Sequence, residues 1–270
     1  MSETILLIHG LWMSPHSWTS WKERYEGQGH TVLTPGWPGM DRTVAEINAD
    51  PTELATYGMA EVIEHYDGII RSLDDPPIVM GHSMGGAVTQ VLASRGLGKA
   101  AVGVAPATVK GIPDLPFSTI KSGRSVLGNP FNRNKATALN AKQFHYAFGN
   151  TMEESESDAL FEEQAVPAVN NVLFDVAFAN FHKHPPTEVD FEAADRPPLL
   201  MIGFEKDHVV PPKVVWHNAV KYHNNPSVTV FHEFAGRPHY PGAEGWEEVA
   251  DFALNWALNP GQDIEDSEVF

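Results

Sequence analysis

The stretch PIVMGHSMGGAV, residues 77–88, places a serine between two glycines directly after a short apolar run. A run of that length bounded by Pro and Gly reads as a buried strand, and GGAVTQVLASRG (85–96) after it reads as a helix. Ser83 therefore stands at a strand-to-helix turn. The pattern G-x-S-x-G alone is weak, because Gly and Ser are common residues, so the flanking chain must decide its meaning.

Outward from this point, short β-branched runs alternate with segments of helical period. TILLIHG (4–10), HTVLTPG (30–36), KAAVGVAP (99–106), PPLLMIGFE (197–205) and SVTVFHEF (227–234) read as further strands. Between them lie helical segments around 17–27 and 56–73, the second with Met59, Val62, Ile63, Tyr66 and Ile70 at helical spacing. PPKVVWHNAVKYHNN (211–225) and GWEEVADFALNWAL (245–258) supply two more. Strand and helix in alternation specify a parallel sheet covered on both faces, which is an α/β architecture.

Residues 107–196 interrupt the alternation. A stretch rich in Gly, Pro, Asn and Lys/Arg (107–135) gives way to KQFHYAFGN, SDALFEEQAV and NVLFDVAFANF, which read as aromatic helices. The expectation is an inserted helical cap; ordinary helices of the main layer are the alternative. The core is then expected in 1–106 and 197–258, with a frayed acidic tail over 259–270.

Composition narrows the function. The chain of 270 residues is 42% hydrophobic, enough to bury a large core as one domain. It has no cysteine, which excludes disulfides, thiol catalysis and thiolate metal sites. A net charge of −17 argues against nucleic acid as a partner. No stretch approaches the roughly 20 apolar residues of a membrane span. The start MSETILLIHG lacks the basic opening and long apolar run of a secretory signal, so a cytoplasmic protein is expected.

In open parallel sheets ligands bind beyond the carboxyl ends of the strands. His9-Gly10, Ser83, Asp207 and His239 each follow a different strand. The chain order Ser, Asp, His around a strand-turn-helix serine is the arrangement of a nucleophile elbow. A hydroxyl is a weak nucleophile until a base takes its proton, and a carboxylate can orient that base.

Through IHGLW, GHSMGG, GFEKDHVVPP and GRPHY, the chain resembles the α/β-hydrolases of the esterase and lipase branch. The likeness covers roughly 1–106 and 197–258, and implies an α/β-hydrolase fold with a short sheet of about six strands and a helical cap. It implies Ser83 as nucleophile, His239 as base and Asp207 as the orienting acid. The backbone N–H groups of Met84 and Leu11 would form the oxyanion hole. The pattern departs from the family in HGLW, where one lipase branch has HGGG, and in the Arg-Pro before His239.

Rivals exist for each role. Glu205 and Asp114 compete for the acid, and His208, His217, His223 and His232 for the base, while His9 is expected to pack under the oxyanion turn. His217 and His223, six residues apart, do not share a helix face, and no H-E-x-x-H occurs, so no metal or other cofactor is expected. The expected partner is an apolar small-molecule ester, with Phe144, Tyr146, Phe148, Phe161, Phe174, Phe178 and Phe181 as candidate contacts. Lactone opening, C–C bond hydrolysis and a non-catalytic receptor-like role remain open beside ester cleavage. Dehalogenase or epoxide hydrolase chemistry is disfavoured, since those relatives carry Asp where Ser83 stands.

Overall fold

The computed structural model describes residues 2–114, 116–261 and 266–270. The first half of the core is β1 (Thr4–Ile8), α1 (Thr19–Gly27), β2 (Thr31–Leu33), α2 (Val44–Ala49), α3 (Met59–Arg71), β3 (Ile78–His82), α4 (Met84–Ser94) and β4 (Ala100–Val104). The intervening segment holds α5 (Phe117–Leu127), β5 (Ala136–Thr137), α6 (Ala141–Phe148), α7 (Glu154–Gln164), β6 (Ala168–Val169) and α8 (Asn170–Ala177). The chain returns to the sheet with β7 (Leu199–Phe204), α9 (Pro212–Val220), β8 (Thr229–Phe234), α10 (Trp246–Leu258) and β9 (Ser267–Val269).

Among the described residues the main sheet has seven strands in the order β2-β1-β3-β4-β7-β8-β9. All pairings are parallel except β8 with β9. Strand residues alternate between the two faces, as a two-residue period requires. Ile5 and Leu7 join Trp18, Trp21 and Tyr25 of the α1 side, whereas Leu6 and Ile8 join Val62, Ile63 and Val88 of the α3–α4 side. Both faces are buried, which explains why the strands read as unbroken apolar runs.

The seventh strand corrects the expectation for the tail. Residues 262–265 lie outside the described residues, but Ser267–Val269 pair antiparallel with β8. Thr229 and Phe270 exchange backbone hydrogen bonds at 3.3 and 2.8 Å, and Ser267 Oγ lies 2.8 Å from His232 Nδ1. A sheet edge offers unpaired N–H and C=O groups, and a short polar strand satisfies them without needing an apolar face of its own.

Two helices also escaped the sequence reading. Helix α2 opens on a capping box, in which Thr43 and Glu46 bond each other's backbone N–H groups. Helix α5 lies in the stretch read as turn-rich; Gly123 sits in its interior and a side chain there would face Leu173 of α8, so packing against α8 stabilises a helix of poor propensity. Side-chain and backbone bonds anchor the 107–196 segment to the core. Trp12 Nε1–H donates to Thr137 O at 3.1 Å, and Val166 N–H donates to Trp12 O at 3.1 Å.

Candidate active site

β3 ends at His82 and α4 begins at Met84, leaving Ser83 alone at the turn with φ 54° and ψ −117°. A non-glycine residue held there costs on the order of 1–3 kcal/mol, which the surroundings must offset. Ser83 N–H donates to Val104 O at 3.0 Å, and Ser83 O accepts from the N–H groups of Gly86, Ala87 and Ala107. Gly81 and Gly85 make the tight turn possible. A Cβ on Gly81 would lie 2.1 Å from Gly85 O, and one on Gly85 would lie 2.2 Å from Ile8 O.

Asp207 follows β7. Its Oδ1 accepts from Val209 N–H at 2.6 Å and Val210 N–H at 2.8 Å, which fixes the carboxylate plane. Its Oδ2 accepts from His239 Nδ1–H at 2.5 Å, and both side chains are wholly buried. With Nδ1 carrying the proton, the neutral ring presents Nε2 as an acceptor, and that atom is buried with no partner in the protein. Of the carboxylates weighed from the sequence, only Asp207 contacts His239. Glu205 bonds Lys206 Nζ and Gly236 N–H, and Asp114 bonds His217 Nδ1 at 2.7 Å. The rival histidines are engaged elsewhere: His208 with Tyr146 O, His223 with Val220 O and His232 with Ser267.

Two further buried histidines flank Ser83. His9 donates Nδ1–H to Gly10 O at 3.0 Å, accepts from Trp37 N–H at 3.2 Å, and stacks on the Trp37 ring. Burial pushes its pKa down to about 4, so it is neutral at pH 7. His82 donates Nε2–H to the carbonyl of His239 at 2.9 Å, with the two rings 4.7 Å apart. Burial, then the neighbouring His239, holds His82 well below the ordinary histidine range. Sequence reasoning passed over His82; its place beside the serine was the available signal.

Above Ser83 is a cavity of about 370 Å³. Leu11, Met84, Phe148 and Val210 line it near the serine, while Ile120, Leu127 and Leu173 form its wall from α5 and α8. Among the described residues, neither Leu11 N–H nor Met84 N–H donates a hydrogen bond within the protein. The aromatic residues divide. Phe148, Phe178 and Phe181 line the cavity; Phe144 is buried between Phe148 and Phe161, and Tyr146 stacks on His208. Phe148 also lies 5.3 Å, ring to ring, from His239.

The family model described as "Alpha/beta hydrolase family" matches residues 5–252. The chain belongs to this family. Among solved structures, the hydrolase is similar to a monoacylglycerol lipase of Paleococcus ferrophilus, at 20% identity and TM-score 0.64, over 94% of this chain and 93% of that one. It is similar to a pyrethroid hydrolase of Sphingobium faniae JZ-2, at 17% identity and TM-score 0.67, over 97% and 100%. An extracellular α/β-hydrolase of a Paenibacillus species matches at 18% identity and TM-score 0.66, over 94% and 98%. No curated protein matches the sequence. Among the described residues, no helix of the hydrolase is long and apolar enough to cross a membrane.

Proposed function

We propose that this α/β-hydrolase cleaves carboxylic esters of apolar small molecules through an acyl-enzyme on Ser83. The observation that carries the reading is the buried Asp207–His239 pair, whose Nε2 has no partner in the protein and whose ring lies 4.7 Å from that of His82, the residue before the strained serine. His239 Nε2 takes the Ser83 proton as Oγ attacks the ester carbonyl. The C=O electron pair moves onto oxygen, where the free N–H groups of Leu11 and Met84 stabilise the charge. Collapse breaks the C–O bond, and His239 returns the proton to the departing alcohol. Water then repeats the sequence on the acyl-enzyme, releasing the acid and restoring Ser83. Asp207 keeps the ring in the Nδ1–H tautomer and stabilises the imidazolium formed in each step.

In this reading residues 107–196 are a cap over a core of 1–106 and 197–258, and the cap supplies most of the acyl-binding wall. The names of the structural neighbours, a lipase and a pyrethroid hydrolase among them, are in keeping with ester cleavage. A fluorophosphonate probe followed by peptide mapping tests the mechanism. Labelling confined to Ser83, and lost in Ser83→Ala, is expected; an unlabelled native protein would refute it. A panel of esters, lactones and vinylogous diketones then separates ester hydrolysis from lactone opening and C–C cleavage.

A further inference from the structure

Six large hydrophobic side chains are well exposed among the described residues, and five of them belong to 107–196. On α5 these are Phe117 (79% exposed) and Ile120 (46%); after α8 they are Phe178 (42%) and Phe181 (83%), and the fifth, Phe131, follows α5 and does not line the cavity. Ile120, Phe178 and Phe181 also line the cavity, so the exposed surface continues directly into the pocket above Ser83. Single exposed apolar residues are ordinary, but a contiguous group around a pocket mouth marks an interaction surface.

The charge around this lip is opposite to that of the whole chain. Residues 116–152 and 176–187 contain six Lys/Arg and no Asp or Glu, in a protein of net charge −17. Arg124 lies on the lip itself, and Lys183 is two residues beyond Phe181. Of the acids that border these stretches, Asp114 is engaged with His217, Glu188 with Lys110 and His184, and Asp175 with Arg133 and Met59 N–H, while Glu153 and Glu154 of the α7 start do not line the cavity. A second copy of the same lip would bring like charges together, which disfavours self-association through this face.

We propose that the lip docks on an anionic lipid–water interface. Phe117, Ile120, Phe178 and Phe181 enter the headgroup layer, and Arg124 and Lys183 lie against anionic headgroups. The acidic remainder of the surface is repelled, so the molecule is held with its cavity mouth toward the lipid. An ester dissolved in the interface then reaches Ser83 without crossing water. Docking depends on the lip alone; only that delivery rests on the proposed hydrolase function.

Flotation with vesicles of phosphatidylcholine, with and without phosphatidylglycerol, tests it. The native protein is expected to float with the anionic vesicles and to be released by high salt. Phe117→Ser with Phe181→Ser, and separately Arg124→Gln with Lys183→Gln, should each weaken partition about tenfold at an unchanged melting temperature. Equal flotation on both vesicles, or none on either, overturns the proposal. So does a native dimer that Phe117→Ser dissociates, since that would assign the lip to a second copy. Flotation without fluorophosphonate labelling would leave docking standing and remove the hydrolase function instead.

Discussion

His82 donates its Nε2–H to the carbonyl oxygen of His239 at 2.9 Å, joining residues 157 positions apart in the chain. Through this bond the residue beside Ser83 holds the backbone of the loop that carries the ring bonded to Asp207. The edge of Trp18 lies against the His82 ring and limits its freedom from the opposite sheet layer. The relative position of Ser83 and His239 is therefore set by a neutral, buried imidazole.

His82→Ala leaves the His239 carbonyl without its donor, a loss of about 1–3 kcal/mol for a buried group. The expected result is a lower melting temperature and a kcat that falls more than KM changes. His82→Gln, which keeps an N–H donor, should recover part of both. Steady-state kinetics with an undiminished kcat in His82→Ala would rule out this positioning role.

Asp207→Asn should reduce turnover by about 10⁴-fold, because the amide favours the wrong tautomer of His239. Asp114→Asn and Glu205→Gln should each stay within about threefold of the native rate, since neither carboxylate contacts His239. Comparable losses in Asp114→Asn would transfer the acid's role to the residue that follows β4.

Phe148 and Phe144 are neighbours on α6 with different work. Phe148→Ala enlarges the cavity beside His239 and should alter preference among acyl chain lengths by about 10- to 200-fold. Phe144→Ala removes a buried ring that does not line the cavity above Ser83; it should destabilise the fold by about 3–5 kcal/mol and shift all esters alike. Kinetics on short and long p-nitrophenyl esters, with melting curves, separates the two.

Stability should fall on mild acidification. His9 and His82 have depressed pKa values in the folded protein, so the unfolded chain binds protons that the native state refuses. Their contribution is fully present above the unfolded pKa of about 6.5 and is lost as pH drops. For His9, between pH 7 and pH 5, the loss is about 2 kcal/mol. Urea titrations across that range measure it, and His9→Asn should flatten the slope. An unchanged slope in that variant would show that other groups govern the acid limb.

Sequence alone determined the sheet and the placement of the reactive side chains at its edge. Buried strands are rich in apolar and β-branched residues, so all six parallel strands announced themselves, and GHSMGG announced the sharp turn between β3 and α4. What lies directly after a strand is likewise a matter of chain order, which brought Ser83, Asp207 and His239 to attention together. Other features depended on contacts between residues distant in sequence. Helix α5 exists because α8 covers its glycine-containing face, and β9 exists because the β8 edge needs partners. Whether Phe148 or Phe144 faces the cavity is decided by how α6 rotates against α7, and Asp207 rather than Asp114 meets His239 because β7 and the loop after β8 lie side by side. Local pattern specifies which surface a residue offers to its own helix or strand; only the packed structure specifies what that surface meets.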